Sequence, residues 1–179
     1  MSSELRVDKI IPTDGVPTGG GGGIIQVVFF SLATGSTVNV NSSSFVDVLT
    51  ASITPKFNTS KILVHCSAGV FVDGHNNAAY EFSLHLKRGS TLIGGNTQSS
   101  HFRGTNVLFS ATNSIECAHT GTFFFMDSPA TTSAVTYNLC LQGGESATYG
   151  VCRSKGSGGT KYNFQNSSGT NITLMEISA

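Results

Sequence analysis

A chain of 179 residues can bury one apolar core of ordinary domain size, so we expect a single head domain with an appendage. Charged residues make up only 11% of the sequence, but twelve Phe and many Val, Ile and Thr residues provide core material, which argues against intrinsic disorder. The formal net charge is zero and the ten Lys and Arg residues are scattered, so we expect no nucleic-acid partner.

The first segment, residues 1–18, predicts an extended arm. Leu5, Val7 and the pair Ile10 and Ile11 are separated by charged residues and followed by prolines, which oppose both helix and ladder pairing. We interpret these four apolar residues as the candidate anchoring contacts of the arm. The arm has no signal-peptide pattern, and the chain has no run of about 18 apolar residues, so we expect cytoplasmic synthesis without membrane insertion.

Gly19–Gly23 is a run of five glycines, which is the composition of a flexible linker. A phosphate-binding loop is disfavoured, because no Lys with Ser or Thr follows the run and a strand stands where a helix is needed. The sequence therefore divides into an arm with its linker, residues 1–23, and a head domain, residues 24–179.

From Ile24 onward apolar residues recur with period two between clusters of turn-forming residues, and no window has the period of an amphipathic helix. About eight or nine antiparallel strands in two sheets are the inventory of a jelly roll, the all-β sandwich fold that we predict for the head. The predicted strands are Ile24–Ser31, Ser44–Thr54, Lys61–Val72, Ala79–Arg88, Ser90–Gly94, His101–Phe109, Ser114–Met126, Ser133–Gln142 and Asn171–Ser178.

Three of these strands, the first and the two that end near Met126 and Ser178, contain apolar residues on both faces. A sandwich strand buries only one face within its own subunit, so the second apolar face predicts contact with another subunit. Coverage by a loop or by the arm of the same chain is the alternative. The residues assigned to the subunit interface are Ile25, Val27, Phe29, Phe124, Met126, Met175 and Ile177.

Residue types suited to catalysis are present, but no spacing organises them. Asp73–Asn77 combines Asp, His and Asn side chains in a predicted turn, where such side chains satisfy local backbone groups without a cation. The segment lacks the alternating carboxylates of a calcium loop. The chain also lacks a Gly-x-Ser-x-Gly elbow and paired carboxylates, so we expect no enzyme, no metal site and no cofactor.

The four cysteines lack zinc-site spacing. Cys66, Cys117 and Cys140 fall within predicted strands, where we expect buried, inert thiols, with a disulfide or a reactive thiol as the alternative. Three histidines, His65, His85 and His119, are also placed on strands.

The loops of the sandwich are the candidate binding surface, because the two sheets hold them in fixed positions. The predicted loops are Asp73–Asn77, Gly95–Ser100 and Gly143–Thr148. The candidate contact residues in them are Asp73, His75, Asn76, Asn77, Asn96, Gln98 and Glu145.

Strand and turn motifs follow one another in an order that spans nearly the whole chain: Glu4–Ile10, Ile24–Val28, Ser44–Val48, Ala51–Pro55, Ser60–Val64, Leu86–Thr91, Asp127–Pro129, Tyr137–Leu139 and Ile172–Ile177. In this order they resemble small virion proteins of tailed bacteriophages, especially cyanophages, that are described as tail fibre or virion structural proteins.

The resemblance implies a virion component, assembled in the host cytoplasm as a homotrimer. Its arm docks on other virion proteins of the tail, adaptor or capsid, and its head faces a host surface glycan or protein. A tail-fibre or receptor-binding trimer is the function we expect. The short arm and the lack of shaft repeats leave a capsid decoration trimer, of the cement or head-fibre kind, as the alternative. A glycan-processing, tailspike-like enzyme is the remote alternative.

Overall fold

The computed structural model describes residues 23–32, 36–40, 45–74, 82–93, 115–143, 147–151 and 169–178. Within these ranges every regular element is a β-strand and every pairing is antiparallel. The strands are β1 (Ile24–Ser31), β2 (Ser36–Val40), β3 (Val46–Ile53), β4 (Lys61–Gly74), β5 (Phe82–Arg88), β6 (Thr91–Leu92), β7 (Ile115–Asp127), β8 (Val135–Gly143), β9 (Ala147–Val151) and β10 (Asn171–Ile177).

The strands form two sheets, which we call sheet A and sheet B. In sheet A the long strand β4 is central, with β7 paired along its whole length on one side. On its other side β10 pairs with Lys61–Ser67 and β9 pairs with Val70–Val72. β1 then pairs with β10, and β2 pairs with β9. Sheet B has the order β3-β8-β5-β6.

The two sheets share one apolar core, which makes the head a β-sandwich. From sheet A, every second residue of β4 from Ile62 to Val70 is at most 2% exposed. From sheet B, the alternate residues Tyr137, Leu139 and Leu141 of β8 are fully buried. The strand period of two places each series on one face. Each large aliphatic side chain buried in this way contributes about 1.5–3 kcal/mol.

A buried carboxylate, Asp127 at the end of β7, links the two sheets. It accepts hydrogen bonds from the Arg88 guanidinium at 2.9 and 3.0 Å and from the Tyr137 hydroxyl at 2.7 Å. Both donors belong to sheet B, whereas Asp127 belongs to sheet A. Burial, and then the hydrogen bond to Asp127, raises the pKa of Tyr137, so its hydroxyl keeps the donated proton.

A second buried carboxylate, Glu176 of β10, fastens the turn that follows β3. It accepts hydrogen bonds from the backbone N–H groups of Lys56 at 2.7 Å and Phe57 at 3.3 Å. The Gln26 side chain donates a third bond at 2.6 Å. A fully buried carboxylate is tolerated because these donors replace its hydration.

The predicted all-β class and its two antiparallel sheets are confirmed, and the first strand has the predicted bounds. The prediction of a turn beginning at Asp73 was wrong, because β4 continues to Gly74 and Asp73 pairs with Glu116. Pairing with the long strand β7 outweighs the local turn preference of an Asp-Gly sequence.

Two short strands, β2 and β9, were not predicted, because Ser, Thr, Asn, Gly and Ala predominate in them and suggest loops. The predicted loop Gly143–Thr148 was therefore wrong at both ends: β8 includes Gly143, and β9 begins at Ala147. The predicted strand His101–Phe109 lies outside the described residues. Within the described ranges, no helix has the length and apolar character needed to span a membrane.

Candidate assembly surface

The face of sheet A that points away from the core is largely apolar across four strands. Side chains directly opposite each other in antiparallel strands lie on the same face, so the strand register determines which residues belong to it. Two rows cross β1, β10, β4 and β7 in that order: Val27, Met175, Leu63 and Met126, and next to them Phe29, Thr173, His65 and Phe124. We call these eight residues, together with Ile177 beside them on β10, the outer face.

Four large side chains of the outer face are open to solvent. Phe29 is 62% exposed, Phe124 61%, Val27 54% and Met126 46%. They lie on the two outer strands of the rows, β1 and β7, while Leu63 and Met175 between them are half-buried. Scattered exposed apolar residues are ordinary, but a contiguous patch of this kind is typical of an interaction surface.

The outer face arises from strands that contain apolar residues at successive positions. In β7 the three consecutive phenylalanines divide between faces: Phe123 and Phe125 pack into the core, and Phe124 points outward. In β1 Val28 packs against the core while its neighbours Val27 and Phe29 belong to the outer face. The period of two therefore leaves part of each apolar run outside the sandwich.

The outer face carries little charge. The two apolar rows contain no acid, lysine or arginine. In the next row Ile177 lies between Ile24 and the exposed Lys61, which brings one positive charge to the margin of the face. The His65 ring stacks on Phe124 with centroids 4.3 Å apart and an interplanar angle of 16°. Beyond the rows the border is polar: Thr122 donates a hydrogen bond to Ser67 at 3.4 Å. An apolar centre with a polar border is the usual anatomy of a protein interface.

Six of the seven residues assigned to a subunit interface from the sequence lie together on the outer face: Val27, Phe29, Phe124, Met126, Met175 and Ile177. Ile25 is the exception, because it falls at an irregularity between Ile24 and Gln26, where it has no register partner, and it is half-buried. The contributions of Leu63, His65 and Thr173 were missed, since they depend on which strands flank β4 and β10.

The other predicted site residues are not among the residues of the outer face. The arm residues Leu5, Val7, Ile10 and Ile11 and the loop residues His75, Asn76, Asn77, Asn96, Gln98 and Glu145 lie outside the described residues, while Asp73 is a strand residue of β4.

A row of ionisable side chains crosses sheet B on the side away from the core. Asp47, Cys140 and His85 stand opposite one another on β3, β8 and β5. The Cys140 thiol donates to Asp47 Oδ1 at 3.0 Å, and Lys87 Nζ lies 2.7 Å from the same oxygen. On β5 itself, Ser83 Oγ lies 2.7 Å from His85 Nε2.

The protonation and the burial of these side chains favour a structural role for the row. Burial, and then the hydrogen bond to Asp47, raises the pKa of Cys140, which keeps the thiol protonated. Burial raises the pKa of Asp47, but the hydrogen bonds from Lys87 and Cys140 outweigh it, so the net shift is downward. A cysteine nucleophile needs a thiolate and access for substrate, whereas Cys140 and His85 are both fully buried.

The prediction of buried thiols is confirmed for Cys66 and Cys140, which are both free. Burial raises the pKa of Cys66 to about 12. Cys117 lies in β7, and Cys152 is outside the described residues. In the part of the chain that the structure describes, no group of at least three His, Cys, Asp or Glu residues is placed to hold a metal ion.

No protein-family model matches the sequence, and no curated protein matches it. Among solved structures, the VP2 subviral particle of infectious bursal disease virus is similar to this chain with a TM-score of 0.37 and 12% sequence identity. The match covers 86% of this chain but only 37% of the VP2 chain. At this TM-score the likeness assigns neither a fold family nor a function.

Proposed function

We propose that this chain is a structural protein of a virus particle, a tail-fibre or receptor-binding trimer anchored through residues 1–23. The observation that carries the proposal is the outer face. Four large apolar side chains open to solvent on one face of a sandwich are typical of a surface that binds another protein. The resemblance of the order of strand and turn motifs to that of phage virion proteins supports the proposal that the particle is a virion.

The order of the strands in the two sheets supports a jelly-roll head as part of the proposal. With β2 and β9 set aside, sheet A has the order β1-β10-β4-β7 and sheet B has the order β3-β8-β5-β6. Along the chain, these eight strands then pass from one sheet to the other at every step except from β5 to β6. Such alternation is what two Greek keys folded into a double sheet produce, an architecture found in viral capsid and lectin domains.

The polar chemistry of the head also suits a structural protein better than an enzyme. Asp127 and Glu176 are engaged in bonds that join sheets and hold a turn. Asp47 is engaged in the same way by Lys87 and Cys140. These carboxylates satisfy buried donors of the fold, which is the ordinary function of such groups in a structural domain.

In the proposed particle the arm and the head have different partners. Leu5, Val7, Ile10 and Ile11 contact tail, adaptor or capsid proteins, since an extended apolar segment can add a strand to an exposed sheet edge. The loops of the head face a host glycan or protein, because a sandwich presents its loops at fixed positions.

Cryo-electron microscopy of the intact virion tests the proposal, with the chain located by an antibody fragment. We expect a few trimers around the tail or at one vertex. Many trimers spread over threefold positions of the capsid lattice would contradict the fibre function and favour capsid decoration. Cleavage of a purified host polysaccharide by the isolated protein would contradict both and favour the tailspike-like enzyme.

A further inference from the structure

We infer that the outer face binds a second copy of this chain and is the surface on which the proposed trimer closes. This inference deepens the proposed function and rests on it, because it names the surface and the partner through which the subunits meet.

The outer face is large enough to be the apolar centre of a stable interface. Neighbouring strands lie about 4.8 Å apart and residues rise about 3.3 Å along a strand, so the two apolar rows, together with the bordering rows at Lys61 and Ser67, cover about 14 by 20 Å before side chains are added. A stable interface buries about 800 Å² per partner, with an apolar centre inside a polar rim. The rim is present in the row Ser31, Asn171, Ser67 and Thr122.

The chemistry of the outer face favours a copy of itself as the occupant. The charged residue beside the outer face is Lys61 at its margin. The face therefore offers little for the electrostatic recognition of a charged partner. Phe and Met are enriched at interface centres, and interfaces between identical subunits are more apolar than transient ones. A closed trimer needs contacts between two different patches of each subunit, and the two exposed edges of the outer face, on β1 and on β7, can meet different neighbours around a threefold axis.

The arm of the same chain fits the outer face poorly. A single extended segment is about 5 Å wide, whereas the outer face is about 14 Å across. In an extended conformation the arm would also present Leu5 and Val7 on one side together with Lys9, which would bring a charge onto a face without an acid. A second sandwich covers the whole width without that cost.

Sedimentation equilibrium of the full-length protein with Phe29→Glu, Phe124→Glu or both tests the inference. These side chains are exposed in the single chain, so we expect the far-ultraviolet circular dichroism spectrum of each variant to match that of the wild type. Burying a carboxylate in an apolar interface should weaken association at least about 100-fold for each variant. Ser90→Glu, at an exposed turn of sheet B, is the matched control and should associate like the wild type. Met126→Gln, of similar shape, replaces any Glu variant that does not fold.

The outcomes separate this inference from the proposed function. Monomeric face variants beside a trimeric wild type and a trimeric Ser90→Glu support both. Face variants that stay trimeric overturn the inference and leave the trimer standing. A wild-type dimer that the face variants dissociate supports the outer face but overturns the trimer. A wild type that is monomeric at about 100 µM, well above typical dissociation constants of stable complexes, overturns both.

Discussion

Tyr137 belongs to the apolar core and is fully buried, and its hydroxyl is satisfied by one acceptor, Asp127 of the other sheet. Replacing Tyr137 with Phe keeps the ring in place but removes one donor from the Asp127 carboxylate. We expect the free energy of unfolding to fall by about 1–2 kcal/mol, the cost of leaving a buried acceptor without that bond. Urea denaturation measures the difference, and Ser133→Ala at an exposed position is the control. Equal stability of wild type and Tyr137→Phe would contradict the link between sheets.

The same tyrosine predicts a dependence of stability on alkaline pH. Its pKa in the folded protein is raised, first by burial and then by Asp127, so the contribution is complete below about pH 10, where an unfolded tyrosine keeps its proton. Above that pH the unfolded chain ionises while folded Tyr137 does not, and unfolding becomes easier. Relative to Tyr137→Phe, the wild type should lose about 1.4 kcal/mol per pH unit. A constant difference between the two proteins from pH 9 to about pH 11.5 would contradict this assignment.

Cys66 is a residue whose chemistry follows from its burial. With its pKa raised to about 12, only about one thiol in ten thousand is ionised at pH 8, and the thiolate is the reactive form. We expect iodoacetamide to leave Cys66 unmodified in the native protein and to modify it after denaturation in guanidinium chloride. Peptide mass spectrometry measures both states. Labelling of native Cys66 as fast as in the denatured chain would show that this part of the core opens readily.

At the scale of the elements, Glu176 joins β10 to the turn after β3 and to β1. Glu176→Gln replaces one accepting carboxylate oxygen with an NH2 group. That group would face the Gln26 side-chain amide or the backbone N–H groups of Lys56 and Phe57, which are themselves donors. We expect a loss of about 1–3 kcal/mol in the free energy of unfolding and faster hydrogen exchange at the Lys56 and Phe57 amides. Ser90→Ala, in the exposed β5–β6 turn, is the control. Unchanged exchange at those two amides would show that the turn holds without the carboxylate.

The elements also show what the sequence predicts and what it does not. Strands with strong period-two patterns, such as β8, were predicted well, because apolar residues at every second position leave a direct signal in the sequence. β2 and β9 were missed because their pairing is decided by long-range partners and not by their own residues. The exposed residues of the outer face were predicted from two-sided strands, whereas His65 required knowledge that β7 flanks β4.

At the scale of the whole molecule, the proposed function gives the run of five glycines a place between an arm that anchors and a head that assembles. If Gly19–Gly23 uncouples the two, replacing the run with five prolines should reduce incorporation into particles, because a stiff spacer fixes the angle between arm and head. Quantitative immunoblotting of purified virions measures incorporation, and a Gly-Ser spacer of equal length is the control. Unchanged incorporation of the proline variant would show that free movement at the linker is not needed.

If the arm and the head bind separate partners, trimer formation and incorporation into particles can be lost independently of each other. Leu5→Asp with Val7→Asp places charges where the arm is proposed to contact other virion proteins, so the protein should remain a trimer but be absent from particles. Phe29→Glu should have the opposite effect: the protein should be a monomer while its arm is unchanged, because the new charge lies on the outer face. Sedimentation equilibrium and virion immunoblots measure the two properties independently, and Lys9→Gln controls for changes in arm charge. If the arm variant were monomeric, the arm itself would belong to the trimer contact and the division between arm and head would fail.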